Sequence, residues 1–379
     1  MEQHAAIFAR LGHEVTVLTG AGVSETAGVR VEILPCLQKT HPARAAADAE
    51  LVSAVPGTQF QKLVAECELA LAPFLEQADR VFVHNVLTMP FHLACTVALW
   101  NLADRLPAGR MVNWVHDAAA ALPDYTVPQS WPWNLLRQHH SAMRAVAVSE
   151  WMADVYKSVT GVREVTVLVN GIEPLSMLNL TPSVKSFVAE HGLLEADCVL
   201  FQPARILRRK NIELGFEVIS ELKSRGLRAK LVVSGAVDEH NQASKQYYTE
   251  LADLRHRRNL ESDILFASAF FPVTKADLLA LYAVTDVVWF PSQREGFGLP
   301  LLEGALQRLV VFCADAPPMN AFDLPNLRFF PPSAPASQVT TLLLQTIEEN
   351  NSLIYARKSV IRRFGWAALI AQLEALLTD

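Results

Sequence analysis

No Asp-x-Asp pair occurs anywhere in the 379 residues of this chain. Such a pair supplies the oxygen ligands that Mg²⁺ and Mn²⁺ prefer, so a site built around a divalent cation is not expected. Cysteine is scarce: Cys36, Cys67, Cys95, Cys198 and Cys313 are scattered, odd in number and set mostly among apolar residues. That spacing fits neither a disulfide frame nor zinc, and His139-His140 and the other histidines lack ligand spacing to the cysteines. The pattern is that of reduced, buried thiols in a cytoplasmic protein. Long basic runs are missing and the net charge is −6, which argues against nucleic acid as the main partner. No uninterrupted apolar stretch approaches the roughly 18–20 residues that span a bilayer. Glu2, His4 and Arg10 break any apolar start, so no signal peptide is expected to open the chain.

What is present is apolar. About half the residues (51%) are hydrophobic, and glycine (16) and proline (21) are not in excess, so the chain is globular rather than disordered. Its length exceeds one ordinary core and predicts two domains. A mean hydropathy of +0.20 is high. Large parallel sheets, whose strands are near-continuously apolar, account for it; peripheral contact with a membrane surface is the other reading. Apolar, β-branched runs at 15–19, 31–34, 80–84, 111–116, 145–149 and 165–169 alternate with helical stretches. A second series follows at 198–203, 230–234, 263–267, 286–290 and 309–313. Strands alternating with helices give parallel sheets covered on both faces, and ligands of such domains lie at the carboxyl ends of the strands.

The densest chemistry lies at 291–304, Pro-Ser-Gln-Arg-Glu-Gly-Phe-Gly-Leu-Pro-Leu-Leu-Glu-Gly. An apolar strand runs into a glycine-bearing loop and then into a helix start, a combination whose backbone N–H groups suit anionic oxygen. Glu295 precedes the turn and Glu303 lies about two helical turns later, so the pair can address opposite ends of one elongated ligand, such as a sugar nucleotide.

This block closely resembles the donor-binding motif of the family-4 retaining glycosyltransferases, and the resemblance extends over nearly the whole chain. It implies a GT-B-type α/β fold: two doubly wound Rossmann-like domains with parallel sheets facing a central cleft. The expected division is an acceptor-side domain over 1–172, a linker over 173–196, a donor-binding domain over 197–355, and a C-terminal helix over 356–379 that crosses back to the first domain. The implied activity is transfer of a hexose from a nucleoside-diphosphate sugar, with retention and without a cofactor or metal. The acceptor is a small molecule, a glycan or a lipid. By resemblance Glu303 holds the ribose and Glu295 a sugar hydroxyl. Gly296, Phe297, Gly298 and Leu299 face the sugar and phosphate.

A departing diphosphate needs positive charge where electron density accumulates, and arginine and lysine together bracket it. Arg205 and Lys210 fit the family's basic pair, with Ala204 in place of the usual glycine. Both are expected to be partly exposed. Arg208 and Arg209 read as solvated charges at a helix start. The strand and loop 264–270 match the family's segment beside the nucleotide base. Phe270 is the donor-side residue there, and Ser268 replaces a glycine, which leaves the base open among uridine, guanosine and adenosine.

His116 closes a strand and, by resemblance, contacts the transferred sugar; a structural histidine at a strand end is the other reading. Adjacent strand residues point to opposite faces, so Asp117 is expected to cap the next helix, with acceptor contact as its alternative. His84 and Asn85 close another strand and are acceptor-side candidates, as is Tyr125; Asn85 equally suits a turn. Trp131 and Trp133 lie in the same proline-rich segment as Tyr125, either for acceptor stacking or for local packing. Ser149 reads as a helix cap.

In the resembling family a first strand and a glycine-rich loop precede the first helix, whereas this sequence begins inside that helix. The expectation is an incorrect start codon or a truncated chain, with unpaired backbone in the sheet where the central strand is missing; a true natural start, with the sheet closed in another way, is the other reading. Two other functions share the architecture or the ligand: a non-catalytic sugar-nucleotide-binding protein and a sugar-nucleotide epimerase. A phosphorylase would need a pyridoxal-bearing lysine, which the sequence does not place.

Overall fold

The computed structural model describes residues 2–52, 56–236 and 241–378. The chain forms two compact units, one of Met1–Ile172 with Trp366–Asp379, the other of Glu173–Gly365. Each is α/β with parallel strands only, a pair of Rossmann-like domains consistent with GT-B architecture.

In the first unit β1 (Val15–Thr19) pairs with β2 (Val29–Ile33) as one sheet. A second sheet has the order β3 (Val81–His84), β4 (Met111–Val115), β5 (Arg144–Ala147), β6 (Thr166–Val167). The domain thus carries two sheets where one was expected: no ladder joins β1 to β3 among the described residues. The expectation about the chain start concerns Met1, which lies outside the described residues. Strand β4 is buried throughout, as a strand paired on both sides and covered on both faces should be. One face is covered by helix Glu2–Arg10, through Ile7 and Phe8, and by helix Trp366–Thr378, through Leu369, Leu373 and Leu376. Arg80 and Arg144 donate to the carbonyl of Leu376 at 3.3 and 3.4 Å, meeting one of the acceptors that a helix end leaves open.

The second unit holds β7 (Cys198–Gln202), β8 (Ala229–Val233), β9 (Ile264–Phe266), β10 (Val287–Phe290), β11 (Val310–Ala314) and β12 (Leu327–Phe330) in the order β9-β8-β7-β10-β11-β12. Strand order reverses between β7 and β10, the dinucleotide-fold arrangement in which ligands bind at the reversal. On one face Trp289 stacks on Phe312 at 5.9 Å and on Phe330 at 5.4 Å. Burying each ring stabilises the sheet by about 1.5–3 kcal/mol.

Two sequence expectations are corrected here. Residues 173–196 hold helices Pro174–Met177 and Pro182–Glu190, and Val184, Phe187 and Val188 of the latter are buried in the second unit's core. The stretch 356–365 belongs to that unit too, since helix Asn351–Phe364 is anchored by Lys358, whose Nζ lies 2.9 Å from the fully buried Asp286 carboxylate, and by Arg357 on the same carboxylate. A buried carboxylate needs such partners, or it remains an uncompensated charge. Among the described residues no helix is long and apolar enough to cross a membrane. All five cysteines are free and buried.

Candidate active site

The carboxyl ends of β7 and β10 bring together the basic segment 203–211 and the glutamate-bearing loop 291–298. Gln202, fully buried at the end of β7, donates from its amide to the carbonyl of Lys210 at 2.8 Å. The backbone N–H of Gln293 donates to the carbonyl of Arg209 at 2.8 Å. These two bonds clamp the loops at the strand-order reversal. Asn211, left-handed at φ 51°, then turns the chain into helix Ile212–Ser224.

Held this way, Lys210 forms an ion pair with Glu295, and Arg209 reaches the other carboxylate oxygen at 2.8 Å. The Glu295 side chain is 8% exposed and that of Lys210 10%. Burial pushes Glu295 up, but hydrogen bonds from Lys210 and Arg209 and the charge of Lys210 outweigh it, so the carboxyl lies below its ordinary value. Burial holds Lys210 below its ordinary value although Glu295 opposes the shift. The site is therefore a two-cation, one-carboxylate cluster. Arg205 is exposed, as expected; Lys210 is not, because Glu295 and the ring of Phe290, 5.5 Å from its nitrogen, cover it. Arg209 is corrected from a solvated charge to a partner of Glu295. Arg208 does face outward, to Glu250.

Glu303 sits on helix Leu299–Leu306, which follows Gly298 at φ 104°, a left-handed conformation that favours glycine. Gly304 lets this helix lie directly on the sheet: a Cβ there would stand 2.6 Å from Val311 and 3.2 Å from Val288. Glu303 accepts a hydrogen bond from the hydroxyl of Tyr282 at 2.7 Å. Burial above all, then Glu303, pushes the Tyr282 phenol up, so it stays a donor. Tyr282 was not singled out in the sequence. It lies on the neighbouring helix Lys275–Val284, and only the fold brings it to Glu303.

The remaining loops at this edge are also tied. Gly235 donates to the carbonyl of Ala204 at 3.0 Å, and Ser268 donates from its hydroxyl to the carbonyl of Gly235 at 2.9 Å. A Cβ at Gly235 would meet the Ala204 carbonyl oxygen at 2.1 Å, so the glycine permits this approach. Ser268 thereby braces the loops. Phe270 is 47% exposed and packs edge-on against His191, ring centres 4.5 Å apart. Gly296, Phe297 and Leu299 are exposed, and Phe297 leans on Phe322 at 5.3 Å.

In the first unit His116 and His84 stand at the ends of β4 and β3, with His84 Nδ1 3.1 Å from His116 Nε2. The Asn85 side-chain oxygen accepts from the backbone N–H groups of His116 (3.1 Å) and Asp117 (2.9 Å). Asp117 does not cap a helix. The turn that follows, Ala119–Ala121, starts at Ala118 without a side-chain cap, and the Asp117 carboxylate instead accepts from Asn85 at 3.4 Å. Tyr125 is exposed. Trp131 packs edge-on to Phe60 at 5.6 Å and Trp133 packs against the first unit's core, so these two indoles serve local packing. Ser149 caps helix Glu150–Thr160, accepting from the N–H of Met152 at 3.1 Å. Among the described residues no group of three or more His, Cys, Asp or Glu is placed to hold a metal ion.

No curated protein matches the chain significantly. Solved structures do. A glycosyltransferase from Rickettsia africae ESF-5 is 14% identical, with 100% of this chain and 95% of that one covered at a TM-score of 0.38. Anabaena HepE in complex with UDP and glucose is 17% identical over 100% and 95% of the two chains at 0.38. WaaG, a glycosyltransferase involved in lipopolysaccharide biosynthesis, is 17% identical over 99% and 93% at 0.37. Residues 184–322, which carry the clamped loops, the Lys210–Glu295 pair and the Tyr282–Glu303 pair, match the model of the family Glycosyl transferases group 1.

Proposed function

We propose that the chain is a retaining hexosyltransferase of family-4 character that uses a nucleoside-diphosphate sugar and no metal. The observation that carries this reading is the Lys210–Glu295–Arg209 cluster at the strand-order reversal. In a sugar nucleotide the diphosphate and the sugar hydroxyls are only a few bonds apart. A cation and a carboxylate joined by one hydrogen bond are therefore spaced to take a phosphate oxygen and a hydroxyl at once. Glu303, oriented by Tyr282, takes the ribose hydroxyls. The Gly296–Leu299 backbone faces sugar and phosphate, and Phe270 lies beside the base. Arg205, Lys210 and Arg209 stabilise the diphosphate as the anomeric C–O bond breaks.

The acceptor oxygen then bonds to the anomeric carbon on the face that the diphosphate leaves, and its proton passes to the departing phosphate oxygen. Retention rests on the resemblance of the 291–304 block. His116 contacts the transferred sugar; Asp117 and Tyr125 are the exposed acceptor-side residues. A cytoplasmic location accords with five unpaired, buried cysteines.

The test is product analysis with a panel of nucleoside-diphosphate sugars, with and without acceptors. Transfer or donor hydrolysis is expected, and to survive EDTA with little loss. Donor epimerisation without an acceptor would replace this reading with the epimerase. Complete inactivation by EDTA, reversed only by Mn²⁺ or Mg²⁺, would overturn metal independence.

A further inference from the structure

His84 was an acceptor-side candidate, yet its ring is turned inward. It stacks on Trp114 with ring centres 4.9 Å apart and lies 5.5 Å from His4, which itself stacks on Trp114 at 4.3 Å. Trp114 is fully buried and His4 is 3% exposed. What His84 does reach is His116, ring nitrogen to ring nitrogen at 3.1 Å. Packing alone would be served by an apolar ring, whereas the half-buried imidazole of His84 adds a nitrogen bonded to its neighbour.

We infer that His84 is a positioning residue for His116: their hydrogen bond fixes the plane of the His116 ring, ties its tautomer to that of His84 and leaves Nδ1 as its nitrogen for a ligand. The backbone is fixed from the same strand end. Asn85, left-handed at φ 58°, accepts both N–H groups of the His116–Asp117 segment. One strand terminus therefore braces the backbone and the ring of its neighbour.

Two imidazoles that face each other through one nitrogen each must hold a single proton between them, so each orients the other. Burial above all, then the charge of the chain's amino group, pushes His84 down to about 2, which keeps that ring neutral. Burial also lowers His116, while Asp117 opposes the shift. Other titratable groups acting on the pair are the chain's amino group, His4, pushed down mainly by burial to about 4, and Asp117.

The inference rests on the reading of His116 as the sugar contact, but its spectroscopic arm does not. Long-range ¹H–¹⁵N spectra of histidine-labelled protein report the tautomer of His116 directly. The wild type is expected to show one neutral tautomer with Nδ1 free of the pairing. In His84→Phe, which keeps the stack on Trp114, both tautomers are expected, whereas His84→Asn places an amide where Nδ1 stood and restores one. Turnover in His84→Phe is expected to fall by about 10- to 100-fold, the scale of a misplaced reacting group, with donor KM nearly unchanged and partial recovery in His84→Asn. A His116 spectrum identical in wild type and folded His84→Phe overturns the inference, as do equal losses of turnover in both variants. If no form transfers sugar but the tautomer responds as stated, the hydrogen-bond role stands and the proposed function fails.

Discussion

Lys210→Ala is expected to lower the rate of glycosyl transfer by roughly 10²–10³-fold, the scale on which one donor aimed at a developing charge is lost. Lys210 is the buried residue of a 3₁₀ turn whose last carbonyl is bonded to Gln202, so its ammonium cannot be replaced by a shift of the neighbouring chain. Arg209 still reaches Glu295 when the lysine is gone, which limits the structural damage. Arg205→Ala, at an exposed position, should leave stability unchanged while lowering turnover on the same scale. Steady-state kinetics with saturating donor check both. Wild-type turnover in the two variants would put the diphosphate elsewhere.

The second large effect is on stability. Glu295→Ala leaves the Lys210 ammonium buried with no carboxylate, and breaking a buried pair from one side costs about 3–5 kcal/mol. Exposed pairs such as Arg208–Glu250 are screened by solvent and contribute far less. Urea unfolding of the full chain measures the loss, and a cost below about 1 kcal/mol would show that the pair is solvated. The double variant Lys210→Met with Glu295→Leu should recover much of it, because well-packed apolar residues often replace a buried pair without loss. The same carboxylate predicts a pH dependence. Its folded value is depressed below the ordinary 4.5. The stability it contributes is therefore present above that value and is lost as pH falls through the folded one.

Much of this arrangement was legible in the sequence, and for identifiable reasons. Runs such as 198–201 and Val287–Phe290 are apolar at every position because they sit in the middle of a sheet covered on both faces. Strand β12 was missed: it is four residues long, carries Arg328 and lies at an edge, so its apolar signal is interrupted. The helix within 173–196 had a readable signal, since Val184, Phe187 and Val188 stand at the spacing of one buried helix face.

At the site, glutamate and lysine in a familiar pattern were visible, but their mutual contact was not. Lys210 and Glu295 are 85 residues apart, and only the strand order brings them together. The role of Arg209 was hidden by its neighbours, since three consecutive basic residues look equivalent until the 3₁₀ turn aims each differently. Asp117 was misassigned because the segment after it makes a 3₁₀ turn from Ala118, while Asn85 provides the partner that no local rule foretells. Tyr282 has no sequence signal at all.

Isothermal calorimetry with a nucleoside diphosphate and with its sugar conjugate, on wild type, Glu303→Ala and Glu295→Gln, tests the central claim most directly. Glu303→Ala should weaken both ligands alike, by about 1.5–3 kcal/mol for lost hydrogen bonds to a charged group. Glu295→Gln should weaken the sugar nucleotide and leave the bare diphosphate nearly unaffected. Equal losses in the two variants, or unaltered affinity in both, would contradict a donor laid along the carboxyl edge of the second unit's sheet with its ribose at Glu303 and its sugar at Glu295.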